Sequence, residues 1–413
     1  MDLNNLYTEK QLKVLNRALS KDFFLLIQHG AKRAGKTITN NDLFLLELKR
    51  VKKIANKLGI KEPQYILAGN SQGSIERNVL TELSIKYGLE FKFDKYNSFE
   101  LLGVKVCCFG HGTIADIRRI RGMSAFGAYI NEGSTANNAV FKEILSRCSE
   151  EGARVMIDTN PDNPKHWLKV DYIDKADNES IVEFQYNIYD NTFLSERYVK
   201  NIINATPSGV FHDRDILGLW VSAEGLVYKD FRLEKHVIKE LPKDIEFIRY
   251  IGGVDWGHEH YGSIVILGVT KDENYYLLEE IAEQQEFVNE FWTPKMLELQ
   301  EKYPNVIYYA DHARQDHIDY SLEQGVCIVN ANKSVQEGIE LVGSLLKQDK
   351  LFYLEDKFIK GKQEMFLYSW KTTTLSGKDE VIKTNDDVLD SIRYAIYTDF
   401  KNYNDNYIFL ANY

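Results

Sequence analysis

The octapeptide at residues 30–37, G-A-K-R-A-G-K-T, constrains the fold of this chain more than any other feature of its sequence. The complete pattern G-x-x-x-x-G-K-[ST] is formed by Gly30, Gly35, Lys36 and Thr37. An apolar run precedes the octapeptide and a helical pattern follows it, which predicts a strand, a tight loop and a helix. Backbone N–H groups in such a loop turn inward around a polyphosphate. The sequence therefore predicts ATP binding, with Lys36 on the β- and γ-phosphates and Thr37 on Mg²⁺.

A second nucleotide-site motif is expected at the end of a buried strand, because a P-loop needs carboxylates near the phosphates. Residues 126–132, F-G-A-Y-I-N-E, are the best candidate. Such a strand usually ends in Asp-Glu, where the aspartate holds the Mg²⁺ shell and the glutamate polarises the attacking water. Here Asn131 replaces the aspartate, which predicts weaker and indirect metal binding, and Glu132 is the predicted general base.

A third motif follows another buried strand, at residues 157–164, I-D-T-N-P-D-N-P. Polar residues at the end of such a strand can sense the γ-phosphate, and Thr159 and Asn160 suit that role. Read alone, the stretch is an ordinary strand-to-loop turn. Its place after Lys36 and Glu132 favours the functional interpretation.

The first half of the 413-residue chain alternates strand-like and helix-like stretches, which indicates an α/β fold with a mainly parallel sheet. The predicted strands are Phe23–Gln28, Tyr65–Ala68, Phe126–Ile130 and Arg154–Ile157, with two or three more in Phe91–Phe109. The start of the chain lacks the features of a signal peptide, and no apolar run is long enough for a membrane span. We therefore expect a cytoplasmic protein whose four cysteines are buried free thiols.

The second half opens with three successive strands and continues with alternating helices and strands, the order of a ribonuclease-H-like fold with a mixed sheet. The predicted strands are Ile248–Val254, Ser263–Val269, Tyr275–Ile281, Val306–Ala310 and Val326–Val329. The predicted helices are Val288–Lys302, Val335–Lys347 and Asp387–Phe400. A polar, charged stretch separates the two halves. These patterns predict a first domain at 1–221, a linker at 222–246 and a second domain at 247–413.

Aspartates lie at the ends of two strands and at the start of the last helix of this second domain. Asp255 ends its first strand and Asp311 ends another, while Asp387 and Asp390 are three residues apart and share a helix face. Carboxylates crowded in this way repel one another unless cations lie between them. The set predicts two Mg²⁺ or Mn²⁺ ions that stabilise the attacking water and the leaving oxygen of a phosphodiester.

The succession GAKRAGKT, YINEG, DTNP and GGVDWG resembles the large terminase subunits of tailed bacteriophages over nearly the whole chain. The resemblance implies a P-loop ATPase domain related to RecA-like motors, followed by a metal-dependent nuclease domain. It also implies that Thr159, Asn160 and Pro161 couple hydrolysis to movement. Gln11 is similar to the glutamine that recognises adenine in this family, and residues 218–228 look like the family's exit from the ATPase domain.

The same resemblance reduces the number of candidate metal ligands. It supports Asp255 and Asp311 as ligands of the nuclease metals. The segment D-D-x-x-D-S-x-R-Y looks like the family's last motif, whose ligand falls at the position of Asp387, Asp390 or both. We favour Asp390 with Asp387 assisting, and we interpret Asp386 as a helix cap.

Arginines near the nucleotide motifs leave two interpretations open. Arg33 lies inside the P-loop, as an arginine often does in this family, and three more precede the second carboxylate motif: Arg118, Arg119 and Arg121. One of them could stabilise the transition-state charge in cis or in a neighbouring subunit. They could equally form a basic patch that faces DNA.

The implied function is ATP-driven packaging of double-stranded viral DNA into procapsids, with endonucleolytic cutting of concatemeric DNA by two metal ions. The implied cofactors are ATP with Mg²⁺ in the first domain and two Mg²⁺ or Mn²⁺ ions in the second. The implied partners are double-stranded DNA, a portal protein and a small terminase subunit, with a homo-oligomeric ring on the portal. The implied location is the host bacterial cytoplasm, transiently docked on the procapsid, and not the mature virion.

Two alternatives stay open. A P-loop helicase-nuclease of repair or defence would unwind strands, although the chain shows no sign of a second RecA-like domain. A decayed prophage protein would only bind DNA or a portal, and Asn131 is the sole support for it. The formal net charge of −10 argues weakly against a passive nucleic-acid coat, because DNA binding would need a local basic face or bound metals.

Overall fold

The computed structural model describes residues 5–257, 260–371, 379–384 and 386–410, with side chains described up to residue 403. The chain divides into two compact units. The first consists mainly of the chain up to Val199 and of His212–Ser222, and the second mainly of Lys200–Phe211 and the chain from Ala223 onward. The predicted domain limits remain predictions. The predicted linker at 222–246 contains a short helix and a short strand.

A seven-stranded sheet forms the centre of the first unit, in the order β3-β4-β2-β5-β6-β1-β7. Its strands are β1 Leu25–Gly30, β2 Gln64–Gly69, β3 Ser98–Leu101, β4 Val104–Gly110, β5 Gly127–Ile130, β6 Arg154–Thr159 and β7 Ile181–Tyr186. All neighbours are parallel except β3 and β4 at one edge. Strand β1 is buried along its whole length, as a strand inside a mainly parallel sheet must be. The predicted fold class of the first half is confirmed.

Helices alternate with these strands along the chain. They are α1 Glu9–Ser20, α2 Lys36–Leu58, α3 Gln72–Ile75, α4 Thr81–Tyr87, α5 Ile117–Ile120, α6 Asn138–Arg147, α7 Trp167–Asp171, α8 Glu196–Ala205 and α9 Val210–Asp215. A π-helical turn, Glu76–Leu80, joins α3 to α4. Apolar residues of β1, β2, β5, β6 and α6 pack into one core, which holds the carboxyl edge of the sheet in place.

The second unit contains a mixed seven-stranded sheet, in the order β13-β12-β9-β10-β11-β14-β8. Its strands are β8 Val237–Ile238, β9 Arg249–Asp255, β10 Tyr261–Val269, β11 Tyr275–Gln284, β12 Ile307–Ala310, β13 Ile328–Asn330 and β14 Leu351–Leu354. Strands β9, β10 and β11 are antiparallel, and the other neighbours pair in parallel. The predicted ribonuclease-H-like order with a mixed sheet is confirmed.

The helices of the second unit are α10 Leu233–His236, α11 Thr293–Lys302, α12 Gln315–Glu323, α13 Val335–Lys347, α14 Lys360–Met365 and α15 Asp387–Leu410. Helix α15 packs across β9 and β10. A core that includes Val254, Trp292 and Tyr308 lies between the sheet and α11. In the described part of the chain, no helix has the length and apolar character that crossing a membrane requires.

The cysteines follow the expectation with one exception. Cys107, Cys108 and Cys148 are buried free thiols. Cys327 is free but exposed, so the expectation of four buried thiols is wrong at this position. It directly precedes β13, a three-residue strand at the sheet edge, where little of the chain is covered.

Candidate functional site

The octapeptide at residues 30–37 contains the turn between β1 and α2. Gly30 and Gly35 adopt φ angles of 133° and 93°, which strain any residue with a side chain. Space is closed at Gly30 as well, because an added Cβ would lie 2.0 Å from the carbonyl oxygen of Tyr186. Both glycines are therefore needed for the path of the loop, which brings Lys36 to the first turn of α2.

Lys36 is only 6% exposed. Its Nζ donates hydrogen bonds to the carbonyl oxygens of Gly30 at 2.8 Å and Ala31 at 2.6 Å, and to Oδ1 of Asn160 at 3.1 Å. Burial lowers the pKa of Lys36 to about 8, and the nearby Asp158 carboxylate opposes that shift. A lysine held in this way beside a helix N-terminus is a cationic binding point for a polyphosphate.

A cavity of about 520 Å³ lies against this loop. Its lining comprises residues 32–38, 158–160, Arg77, Asn78, Glu82, Glu132, Asn191 and Leu194. The volume falls within the range of small-molecule and cofactor pockets. Residues from all three predicted motifs therefore meet in one cavity of nucleotide size.

Gln11, the predicted adenine contact, lies beside the loop. Its Nε2 donates a hydrogen bond to the carbonyl oxygen of Gly35 at 3.0 Å, and its Oε1 accepts one from the N–H of Thr8 at 2.9 Å. Together with Thr8 it forms the capping box of α1. Gln11 thus ties α1 to the phosphate loop, and adenine recognition by it remains a prediction.

Strands β5 and β6 place two polar residues side by side at the carboxyl edge of the sheet. Ile130 pairs with Ile157, so that Asn131, which follows the end of β5, lies beside Asp158, the next residue of β6. Nδ2 of Asn131 donates a hydrogen bond to Oδ1 of Asp158 at 2.8 Å, and Nδ2 of Asn78 donates one to Oδ1 of Asn131 at 2.9 Å. A buried carboxylate therefore lies next to the position where an aspartate was expected.

Glu132, the predicted base, has a left-handed φ of 58°. This conformation costs a glutamate roughly 1 kcal/mol. Its N–H donates a hydrogen bond to Oδ1 of Asp158 at 3.2 Å, which holds the turn. Burial raises the pKa of Glu132, the charge of Asp158 adds to the rise, and Arg77 opposes it. A carboxylate with a raised pKa in this cavity is suited to accept a proton from water.

The remaining predicted polar residues also reach the cavity. Thr37 lines it from the first turn of α2, and Asn160 lines it while bonded to Lys36. Oγ1 of Thr159 accepts a hydrogen bond from the N–H of Ser134 at 2.8 Å, which joins β6 to the segment after Glu132. Their predicted roles as Mg²⁺ ligand and phosphate sensors remain predictions.

The arginines are distributed unevenly around this cavity. Of the four predicted candidates, Arg33 lines it. The other three lie outside the lining: Arg118, Arg119 and Arg121. Arg77, which the sequence motifs did not indicate, lines the cavity from the π-helical turn and lies close enough to lower the pKa of Glu132.

A second group of acids lies in the second unit. Asp255 ends β9 and Asp311 follows β12, which is the parallel neighbour of β9. Both acids therefore leave the sheet at the same edge. Helix α15 passes over β9 at Gly253, where an added Cβ would lie 1.9 Å from the carbonyl oxygen of Ser391. The missing side chain at Gly253 lets the helix approach the strand and bring its first-turn acids to that edge.

Asp255 shows how close these acids are. Burial raises its pKa well above the ordinary value, and the charges of Asp390, Asp311 and Asp387 add to the rise in that order. Like-charged oxygens gathered around a half-buried acid are the environment that a divalent cation stabilises.

Asp390 is neutralised from two sides. Its Oδ2 lies 2.8 Å from Nζ of Lys383, and its Oδ1 lies 2.8 Å from a guanidinium nitrogen of Arg393, which is 1% exposed. Lys383 also pairs with Asp386 at 3.1 Å. The predicted third metal ligand is thus held in a fixed orientation next to Asp255.

The other two acids each lie against a lysine. Oδ1 of Asp311 lies 2.5 Å from Nζ of Lys333, and Oδ2 of Asp387 lies 3.4 Å from Nζ of Lys360. No three histidine, cysteine, aspartate or glutamate side chains among the described residues converge at metal-ligand spacing. The lysines share in balancing the charge of the acids. The donor set of carboxylate oxygens fits Mg²⁺ or Mn²⁺.

The N-terminus of α15 is capped by an unexpected residue. Oε2 of Glu364 accepts hydrogen bonds from the N–H groups of Val388 at 3.0 Å and Leu389 at 3.1 Å. The Asp386 side chain, the predicted cap, is paired with Lys383 instead. Burial raises the pKa of Glu364 to about 7. The first turn of α15, and with it the acids, is therefore positioned by a buried glutamate from α14.

Several residues at the two sites were missed from the sequence: Arg77, Asp158, Lys333, Lys360, Glu364, Lys383 and Arg393. Asp158 stands inside the I-D-T-N-P stretch, so its position at the end of a strand beside Asn131 was a usable signal. Lys333, Lys360 and Glu364 carry no local pattern, because each is more than about 20 residues from its partner and meets it only through tertiary packing. Lys383 and Arg393 are three residues from Asp386 and Asp390.

Comparison with known proteins identifies the family. The model of the N-terminal part of T4likevirus-type terminase large subunits matches residues 28–235, half of the chain. The fold is similar to the large terminase of a thermophilic bacteriophage, with a TM-score of 0.82 and 25% identity over 94% of this chain and 98% of that one.

The same thermophilic-phage protein in complex with ATP-gamma-S is similar with a TM-score of 0.79, 25% identity and the same coverage of both chains. No curated protein sequence matches the chain. The match over residues 28–235, together with the fold similarity over nearly the full length, shows that this chain belongs to the family of terminase large subunits.

Proposed function

We propose that the chain is a DNA-packaging motor that hydrolyses ATP in its first unit and cuts double-stranded DNA with divalent metals in its second. The observation that carries the first part is the single cavity lined by Lys36, Glu132 and Asp158. The large terminase of the thermophilic bacteriophage, which is similar over nearly the whole chain, has been solved with ATP-gamma-S. Membership of the terminase family favours this function over the helicase-nuclease and binding-only alternatives.

In the proposed ATP reaction, Lys36 binds the β- and γ-phosphates. Its present partners are the carbonyl oxygens of Gly30 and Ala31, so a short movement of Nζ would exchange them for phosphate oxygens. Bound Mg²⁺ would supply positive charge to the phosphates, near the Thr37 hydroxyl. Glu132, with its raised pKa, orients the attacking water and accepts its proton. Thr159 and Asn160 sense whether the γ-phosphate is present, and through them its state affects the sheet.

In the proposed nuclease reaction, Asp255 and Asp311 would hold two Mg²⁺ or Mn²⁺ ions, which would supply the positive charge for activating water and stabilising the leaving oxygen. Asp390 is the favoured third ligand, since it lies in the first turn of α15, the helix that packs across the strand ending in Asp255. Asp387 assists from the same helix face. Lys333 and Lys383 lie against the acids and balance their charge when less metal is bound.

The proposed partners follow from family membership. They are double-stranded DNA, a portal protein and a small terminase subunit, with several copies of the chain forming a ring on the portal. Arg33 and Arg77 line the ATP cavity within the chain, whereas Arg118, Arg119 and Arg121 lie outside it and are the candidates for contact with a neighbouring subunit or with DNA. The proposed place of action is the host cytoplasm, at the procapsid.

A reciprocal test separates the two activities. Purified chain is assayed for ATP turnover and for plasmid cleavage with Mn²⁺, Mg²⁺ or EDTA. Asp255→Asn should abolish cleavage and keep ATP turnover, whereas Lys36→Ala should do the opposite. Glu132→Gln should bind ATP but turn it over at least about 100-fold more slowly. Metal-independent cleavage, or cleavage that survives Asp255→Asn, would refute the nuclease assignment.

A further inference from the structure

Asp158 is the least exposed acid at the nucleotide cavity. It is 2% exposed yet belongs to the cavity lining. Its Oδ1 accepts hydrogen bonds from Nδ2 of Asn131 at 2.8 Å and the N–H of Glu132 at 3.2 Å, and its Oδ2 accepts one from the Tyr129 hydroxyl at 2.6 Å. A carboxylate has about four acceptor positions. Three are used, so one position on Oδ2 remains.

A purely structural role would not need a charge at this position. Burying a carboxylate costs several kcal/mol unless a cation compensates for it. Asp42, a comparably buried acid of the same unit, has such a cation, because Nζ of Lys86 lies 2.6 Å from its Oδ2. All three hydrogen-bond donors to Asp158 are neutral. Burial raises the pKa of Asp158, and Lys36, which lines the same cavity, is the cation that opposes the rise. The charge of Asp158 is therefore directed at the place where phosphates and their metal would lie.

Asn131 is the neutral partner of Asp158 at this position. Asn78 donates to Oδ1 of Asn131, which fixes the amide so that its Nδ2 faces Asp158. An aspartate at position 131 would place two carboxylates in hydrogen-bonding contact, where they repel one another. The pair therefore carries one charge, and that charge is on β6 instead of β5.

We propose that Asp158 provides the carboxylate that faces the metal. Strand β5 does not provide it, because Asn131 stands at the position where an aspartate is expected. Its Oδ2 faces the hydration shell of the Mg²⁺ bound with ATP. Its Oδ1 holds Glu132 in the left-handed conformation, which orients the side chain of the base. This inference rests on the proposed ATP site and adds to it the residue that makes nucleotide binding depend on Mg²⁺.

The test is calorimetric titration of the full chain with ADP, with and without Mg²⁺. In wild type, Mg²⁺ should strengthen ADP binding. Asp158→Asn should reduce that strengthening about tenfold, while Mg²⁺-free ADP binds as well or better because a negative charge has been removed. ATP turnover should fall about 100-fold. The exchange variant Asn131→Asp/Asp158→Asn returns the charge to β5 and should regain Mg²⁺ dependence, which a purely structural role would not explain.

Asp42→Asn is the matched control, because it neutralises a buried acid of the same unit that lies outside the cavity lining. It should leave the Mg²⁺ dependence unchanged, even if it lowers the melting temperature. An Asp158→Asn protein that keeps the wild-type Mg²⁺ dependence would overturn the inference, as would an equal loss of ADP affinity with and without Mg²⁺. In both cases wild-type binding would still support the ATP site. Wild type that binds no ADP would instead overturn the proposed function together with this inference.

Discussion

The two groups of acids in this protein are positioned by different means. At the ATP cavity, the acid Asp158 and the neutral amide Asn131 follow paired positions of two parallel strands, and neutral hydrogen bonds hold the acid. At the second site, Asp255 comes from a strand and Asp390 from a helix that packs across it, and Lys383 and Arg393 neutralise the latter.

The difference lies in what each geometry depends on. Strand register is set by backbone pairing, so the acids of the ATP site depend on nearby hydrogen bonds. The second site depends on how closely α15 packs against β9 at Gly253. We therefore expect the second site to be lost through packing changes that leave the ATP site intact.

The largest effect is expected from Gly253→Ala. The added Cβ would meet the carbonyl oxygen of Ser391 at 1.9 Å and push α15 away from β9. A displacement of about 1 Å can cost about 100-fold in rate, so metal-dependent plasmid cleavage should fall by about that factor while ATP turnover stays at the wild-type level.

Gly343→Ala is the control for this comparison. It lies in α13, where the added Cβ meets the Pro207 ring at 3.1 Å and alanine favours the helix. Its cleavage rate should stay near wild type. Equal loss of cleavage in both variants, or loss of ATP turnover in Gly253→Ala, would show that the two sites do not depend on different contacts.

An intermediate effect is expected from pH on the ATP site. Burial lowers the pKa of Lys36 to about 8, and phosphate binding favours its charged form. Nucleotide affinity should therefore be full below about pH 8 and fall by up to about tenfold per pH unit above it. Calorimetric titration with ADP from about pH 7.5 to about pH 9.5, the window around that pKa, would measure the slope.

Lys36→Arg is the matched variant, because its guanidinium remains charged throughout this range. It should bind ADP more weakly but with an affinity that does not change with pH. A wild-type affinity that is constant up to the end of the titration would show that Lys36 is not the group responsible.

The smallest effect is expected from Glu364→Gln. Burial raises the folded-state pKa of Glu364 to about 7, so the protonated form stabilises the fold. That contribution is complete below the unfolded-state pKa and is lost as pH rises through about 7, at a cost of about 3 kcal/mol. Glu364→Gln should flatten this part of the pH profile, by a few degrees in melting temperature.

Glu355→Gln replaces an exposed glutamate of the same unit and should keep the wild-type pH profile. Thermal melting of both variants from acidic to neutral pH would make the comparison. A profile that Glu364→Gln leaves unchanged would mean that the charge at the start of α15 is balanced elsewhere, for example by Lys360, which lies 2.9 Å from Oε1 of Glu364.

Much of the fold could be predicted from local patterns. Apolar runs indicated β1, β2, β5 and β6, and the three-strand opening of the second half indicated β9 to β11. Strands β7, β8 and β14 were missed. They are short or half-buried and lie at or next to a sheet edge, where pairing with a neighbour, more than the sequence itself, makes them strands.

The sequence by itself determined the phosphate loop at residues 30–37 and the order of the acids, because these depend on local spacing and on residue chemistry. Only the tertiary structure decided that Asp158 lies beside Asn131, that Glu364 caps α15 and that Lys383 neutralises Asp390. Each of these contacts joins residues from different elements of the fold. Strand register and helix packing create such contacts, and the periodic pattern of a sequence indicates which face of an element is buried but not which partner residue that face meets.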